Sequence, residues 1–125
     1  MYLRGFVGRK LTLQEMWTLM DQEWDRCGTA FGLGSERALS AFYSSPVWLL
    51  NGLFTDCDPE SVSHGDSMSE WISSLTPGLI ADYGGGYGSL GRKIAMRLPL
   101  SQVLIVEPYP RKEAVRLASQ FRPEH

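Results

Sequence analysis

A chain of 125 residues suits one domain of ordinary size, and 43% hydrophobic with 21% charged residues is a globular composition that excludes wholesale disorder. Twelve Lys and Arg against fourteen Asp and Glu leave a net charge of -2, so no global field draws nucleic acid or acidic lipid. The longest apolar stretch, Val47 to Phe54, is broken by Asn51 and Gly52 and is too short for a bilayer, and Met1 to Lys10 lacks the apolar run of a secretory signal.

The first part of the chain reads as helical. Thr12 and Glu15 have the spacing of a capping box and open a helix expected to run to about Arg26, where Cys27-Gly28 ends it. Leu13, Met16, Trp17, Met20 and Trp24 fall at helical intervals and predict one apolar stripe. Ser35 caps a second helix to about Tyr43, with Ala38, Leu39 and Phe42 inward. Pro46 suits the first turn of a third, Val47 to about Thr55. A polar stretch from Asp56 to Gly65 reads as a loop. Asp66 or Ser67 then starts a helix ending near Leu75, with Met68, Trp71, Ile72 and Leu75 inward. All four tryptophans lie in this part, and core anchoring is their simplest role; an aromatic wall against a small ligand is the other.

The charge changes sign at Thr76-Pro77-Gly78, a strong turn signal. Five basic and ten acidic residues precede it; seven basic and four acidic follow. The boundary divides the chain into residues 1–75, a helical cap, and residues 76–125. Beyond it the period changes. Leu79 to Tyr83 reads as a strand, Tyr87 to Arg97 as a helix stopped by Pro99, and Val103 to Val106 as a strand covered on both faces. Pro108 and Pro110 introduce a last helix with Ala114, Leu117, Ala118 and Phe121 inward. This is β-α-β-α, the beginning of an α/β fold with a parallel sheet.

The chemistry-bearing segment is Asp82-Tyr83-Gly84-Gly85-Gly86-Tyr87-Gly88, followed by Glu107 at the end of the next strand. Glycines there permit positive φ and close approach of a ligand to the backbone. The C-terminal ends of parallel strands are where open α/β sheets bind ligands, and an acid on the neighbouring strand can accept hydrogen bonds from both hydroxyls of a ribose. Two cofactor classes compete for such a nucleoside site. Gly86-Tyr87-Gly88-Ser89-Leu90-Gly91 satisfies the G-x-G-x-x-G pattern of NAD-type oxidoreductases, with the pyrophosphate on the helix N-terminus. Asp82 argues against phosphate and suits a ligand with cationic groups, such as S-adenosylmethionine.

Ile80 to Gly88 resembles the D-x-G-x-G-x-G signature of class I S-adenosylmethionine-dependent methyltransferases, and Val103 to Glu107 resembles their second strand with its terminal acid. The resemblance covers about residues 78–121. It implies a Rossmann-like sheet in which Gly84, Gly86 and Gly88 shape the cofactor loop, with Tyr83 and Gly85 also among the cofactor-binding residues. It also implies that Asp82 faces the methionine portion and that Glu107 binds the ribose. The preceding helices are similar in position to the extension that small-molecule methyltransferases place over the substrate, which implies a small acceptor such as a sugar or metabolite hydroxyl.

That family has a seven-stranded sheet, of which two strands are expected here. The sheet is therefore incomplete, and the expectation is a fragment of a longer enzyme; completion by a second copy or by the helices of residues 1–75 are the alternatives. A non-catalytic assembly module with a degenerate cofactor loop is a further reading of another class. No catalytic base is identified. His64, near Asp66, reads as a solvated loop histidine and His125 as a terminal one. Arg92, Lys93, Arg97, Arg111, Lys112, Arg116 and Arg122 read as outer faces of two helices; with no recognised binding module and no interleaved aromatics, nucleic acid is not the expected partner. Cys27 and Cys57 lack metal-ligand spacing, so no metal is expected, and isolated cysteines fit a reducing cytoplasm.

Overall fold

The computed structural model describes residues 10–120. Arg4, Arg9, Phe121, Arg122 and His125 lie outside the described residues. Six helices and two strands follow in the order α1 (Leu13–Phe31), α2 (Glu36–Tyr43), α3 (Val47–Cys57), α4 (Pro59–Ser74), β1 (Leu79–Tyr83), α5 (Ser89–Arg97), β2 (Gln102–Val106) and α6 (Lys112–Ser119). The chain forms two compact units, residues 1–54 and 55–125, parting within α3. The turn at Thr76-Pro77-Gly78 separates α4 from β1, with Thr76 at φ 47°, a costly conformation for a β-branched residue. Yet α4, read from sequence with the amino-terminal cap, belongs to the same unit as the strands.

In the first unit α1 packs against α2. The capping box forms as expected: Glu15 N–H donates to Thr12 Oγ1 at 3.2 Å, and Thr12 N–H donates to Glu15 Oε2 at 2.9 Å. The helix does not stop at Cys27-Gly28. Gly28 stays helical with Leu33 packed against it, and the end comes at Gly32, whose φ of 92° a side chain would resist. The buried face of α1 is Met16, Leu19, Glu23 and Cys27; Leu13 and Trp17, expected inside, are exposed. Burying Glu23 is tolerable because Arg26 grips both of its oxygens at 2.6 and 2.8 Å, holding the carboxyl below its usual range. Phe42 collects the rings of Trp24, Tyr43 and Trp48 around it, with centroids 5.1 to 5.5 Å away. Two of the four tryptophans are thus anchors, while Trp17 and Trp71 are exposed.

In the second unit α4 starts seven residues before Asp66. Asp58 caps it by accepting from Ser61 N–H at 3.0 Å, and Pro59 opens its first turn, so Ser61 to Gly65 are helical rather than a loop. Trp71 and Leu75, expected inward, are exposed, whereas Ser69 is fully buried. Gly65, one turn earlier, leaves room for the aliphatic stem of Lys93 on α5. Lys93 Nζ then reaches Asp66 at 2.6 Å and Arg92 reaches Asp56 at 2.7 Å, so these two cations tie α5 to α4 and to the end of α3 instead of facing water.

Strands β1 and β2 pair in parallel, Leu79 beside Gln102 through Tyr83 beside Val106. The period-2 pleat puts Ile80, Asp82, Val103 and Ile105 on one face and Leu79, Ala81, Tyr83, Gln102, Leu104 and Val106 on the other. Helix α5 covers the first face, with Ile94 fully buried. The second is open: Leu79, Tyr83 and Leu104 are 67%, 86% and 53% exposed. The expectation that β2 is covered on both faces is corrected accordingly. This is a mixed helix–strand α/β arrangement with a two-stranded parallel sheet. No described helix is long and apolar enough to cross a membrane.

Candidate functional site

Parallel pairing brings the C-terminal ends of β1 and β2 to one rim, and the glycine loop and Glu107 meet there. Gly84 extends the ladder by donating its N–H to Val106 O at 2.8 Å. The chain then turns, Gly88 N–H donating to Gly85 O at 2.8 Å, and enters α5. Gly84, Gly86 and Gly88 take φ values of 71°, 53° and 86°, the left-handed region that a Cβ penalises. These are the three glycines of the D-x-G-x-G-x-G pattern.

A second set of glycines serves close packing. A Cβ at Gly85 would lie 2.9 Å from the Asp82 carboxylate and from Ile105 Cγ2; at Gly88 it would lie 2.8 Å from Ile105 Cδ1, and at Gly91 2.8 Å from Ile105 Cγ1. Loop and helix therefore press directly on β2, whereas Gly84 and Gly86 face open space. An open, left-handed backbone at the strand end is a surface that a ligand can approach closely.

Two carboxylates bracket this loop. Asp82 lies beneath it, on the α5 side of the sheet, with its carboxylate close to the backbone of Gly91. Gly88, the N-cap of α5, has no side chain to offer, and Gly91 is the third helical residue. Burial pushes the Asp82 carboxyl above the usual range, the Gly91 backbone drawing it part of the way back. Its Oδ2 is buried without a hydrogen-bond partner among the described residues, which leaves one acceptor unfilled beside the loop.

Glu107, just past the end of β2, reaches the loop by its carboxylate. Its Oε2 accepts from Gly86 N–H at 3.0 Å and its Oε1 from Tyr109 N–H at 3.0 Å. Of the expected site residues, Asp82, Gly84, Gly85, Gly86, Gly88 and Glu107 converge. Tyr83 does not join them: it neighbours the loop in sequence, but its ring stands on the open face, away from Asp82. The sequence reading left out Ile105 and Tyr109, and gave Gly91 only its place in the G-x-G-x-x-G pattern. Arg92 stacks its guanidinium 5.1 Å from the Tyr87 ring while holding Asp56, which fixes Tyr87 at the loop's edge.

The other candidates lie elsewhere in the fold. His64 is exposed on α4 rather than on a loop, and Asp66 is engaged with Lys93. Cys27 is a buried free thiol, raised in pKa by desolvation, and Cys57 is an exposed one. No group of three His, Cys, Asp or Glu among the described residues is placed to hold a metal ion. Comparisons of the chain with protein-family models, with curated proteins and with solved structures find no match.

Proposed function

We propose that residues 76–125 form the cofactor-binding part of a Rossmann-like, S-adenosylmethionine-dependent methyltransferase. The observation that carries this reading is the meeting of left-handed Gly84 and Gly86 with Glu107, across two parallel strands, at their common C-terminal rim. The residues fit the cofactor's chemistry. The unfilled Asp82 Oδ2 suits a cationic or hydrogen-donating methionine end, and Glu107 suits two ribose hydroxyls. When bound, the cofactor supplies an electrophilic methyl group on a sulfonium. The protein's own contribution at this loop is to bind and orient, holding the ligand by backbone and two acids with nothing bulky at Gly84 or Gly86. The acceptor is a small molecule, an oxygen of a sugar or metabolite.

Calorimetric titration of the 125-residue chain with S-adenosylhomocysteine tests the reading. Saturable binding is expected, weakened by about 1–3 kcal/mol in Asp82→Ala and in Glu107→Ala, the scale of a lost charge-assisted hydrogen bond. Unchanged affinity in both variants removes the site assignment. A second reading, an NAD-type dinucleotide site, draws support from Gly91. The third glycine of G-x-G-x-x-G serves close helix–strand packing, and Gly91 lies against Ile105. A melting temperature raised by NADH and not by S-adenosylhomocysteine would favour it.

A further inference from the structure

Both acceptor bonds of Glu107 are made to backbone N–H groups, and they join segments far apart in the chain. Gly86 lies in the β1–α5 loop and Tyr109 in the β2–α6 turn, and one carboxylate holds an N–H from each. We propose that Glu107 is a positioning residue that staples the glycine loop to the β2–α6 turn and so fixes the shape of the cradle between them.

Geometry explains why a staple is needed here. Gly84 is tied to β2 by the Val106 carbonyl, and Gly88 is tied to α5. Gly86 stands between them at φ 53° with open space where a side chain would be. Glycine loses more conformational freedom on ordering than any other residue, so a run of three spreads over many states unless something selects one. Glu107 Oε2 on the Gly86 N–H makes that selection.

The staple leaves the acid competent for a ligand. A carboxylate offers about four lone-pair sites over two oxygens, and the two backbone donors use one on each. One remains on each oxygen, the arrangement that suits two adjacent hydroxyls. The inference goes beyond the cofactor reading and does not depend on it, because its consequence appears in the ligand-free protein.

The test is amide NMR on the full 125-residue chain without ligand. In Glu107→Ala the Gly86 and Tyr109 amide protons should both move upfield, and Gly86 should exchange with solvent about tenfold faster or more. The Gly84 amide, bonded to Val106, should stay in place. Glu107→Gln, of nearly equal size, has only one acceptor oxygen and should rescue one of the two amides and not both. It also serves if the alanine variant fails to fold. A Gly86 amide unmoved in both variants overturns the staple. Titration with S-adenosylhomocysteine separates the two ideas. Shifted amides without binding would leave the staple standing and remove the cofactor reading; binding with unmoved amides would do the reverse.

Discussion

Asp82 is a partly buried acid beneath the glycine loop, and its ionisation bears directly on stability. Its carboxyl is desolvated beneath the loop and its pKa is raised, with one oxygen unfilled. An acid whose folded-state pKa lies above its unfolded value lowers stability once it ionises. That loss is absent below the unfolded value, grows as pH rises through the folded one, and is complete above it. Asp82→Asn keeps an acceptor for the Gly91 N–H and cannot ionise. Its melting temperature should therefore exceed that of the parent chain at neutral pH, with the gap closing as pH falls towards ~3.9, the ordinary aspartate value. The other acids, Glu23 and Asp66 among them, titrate equally in both proteins and cancel from the difference. Should the asparagine variant be the less stable one at neutral pH, the charge on Asp82 would be favourable, through the start of α5.

At the scale of elements, the contact of α5 with β2 rests on the absence of a side chain at Gly91. Alanine there gains about 1 kcal/mol of helix propensity, but its Cβ would stand 2.8 and 3.0 Å from Ile105 Cγ1 and Cδ1. Overpacking of this kind costs about 1–3 kcal/mol, so Gly91→Ala should lower stability by up to about 2 kcal/mol in urea unfolding. In an Ile105→Ala background the same change should become neutral or stabilising, a coupling of about 1 kcal/mol or more. Additive effects would mean that the helix can shift away from the strand. The elements themselves were largely legible: β1, β2 and α2 lie within a residue of their expected bounds, because periodicity, caps and turn residues agree there. The misreadings have local causes. Gly28 carries the stop signal that Gly32 executes, and the polar run after Asp58-Pro59 hides two helical turns whose start signal is nevertheless present. The loop glycines and Glu107 were legible as a spaced pattern. The roles of Tyr109, Ile105, Arg92 and Lys93 were not, because each depends on a partner brought near only by folding.

For the molecule as a whole, the sheet is the element with an exposed face. The run Val103-Leu104-Ile105-Val106 has the uninterrupted apolar character of a strand buried on both sides, and here α5 covers the side of Val103 and Ile105. Leu79, Ala81, Tyr83 and Leu104 form an apolar surface over the other side. Each strand also keeps one edge without a neighbouring strand among the described residues. Such a surface should bind a hydrophobic dye and favour association as concentration rises. Leu104 is the position to probe, since it sits on that face in the strand flanked by apolar neighbours. If the face is open in solution, Leu104→Lys replaces one exposed side chain by another. Unfolding stability should then change by no more than about 0.5 kcal/mol, while dye fluorescence and concentration dependence fall. If something covers the face, the lysine buries an unpaired charge and the loss should reach several kcal/mol. Urea unfolding and dye titration on the same two proteins separate these outcomes, and a large loss with little dye bound by the parent chain would show that the sheet is already complete in solution.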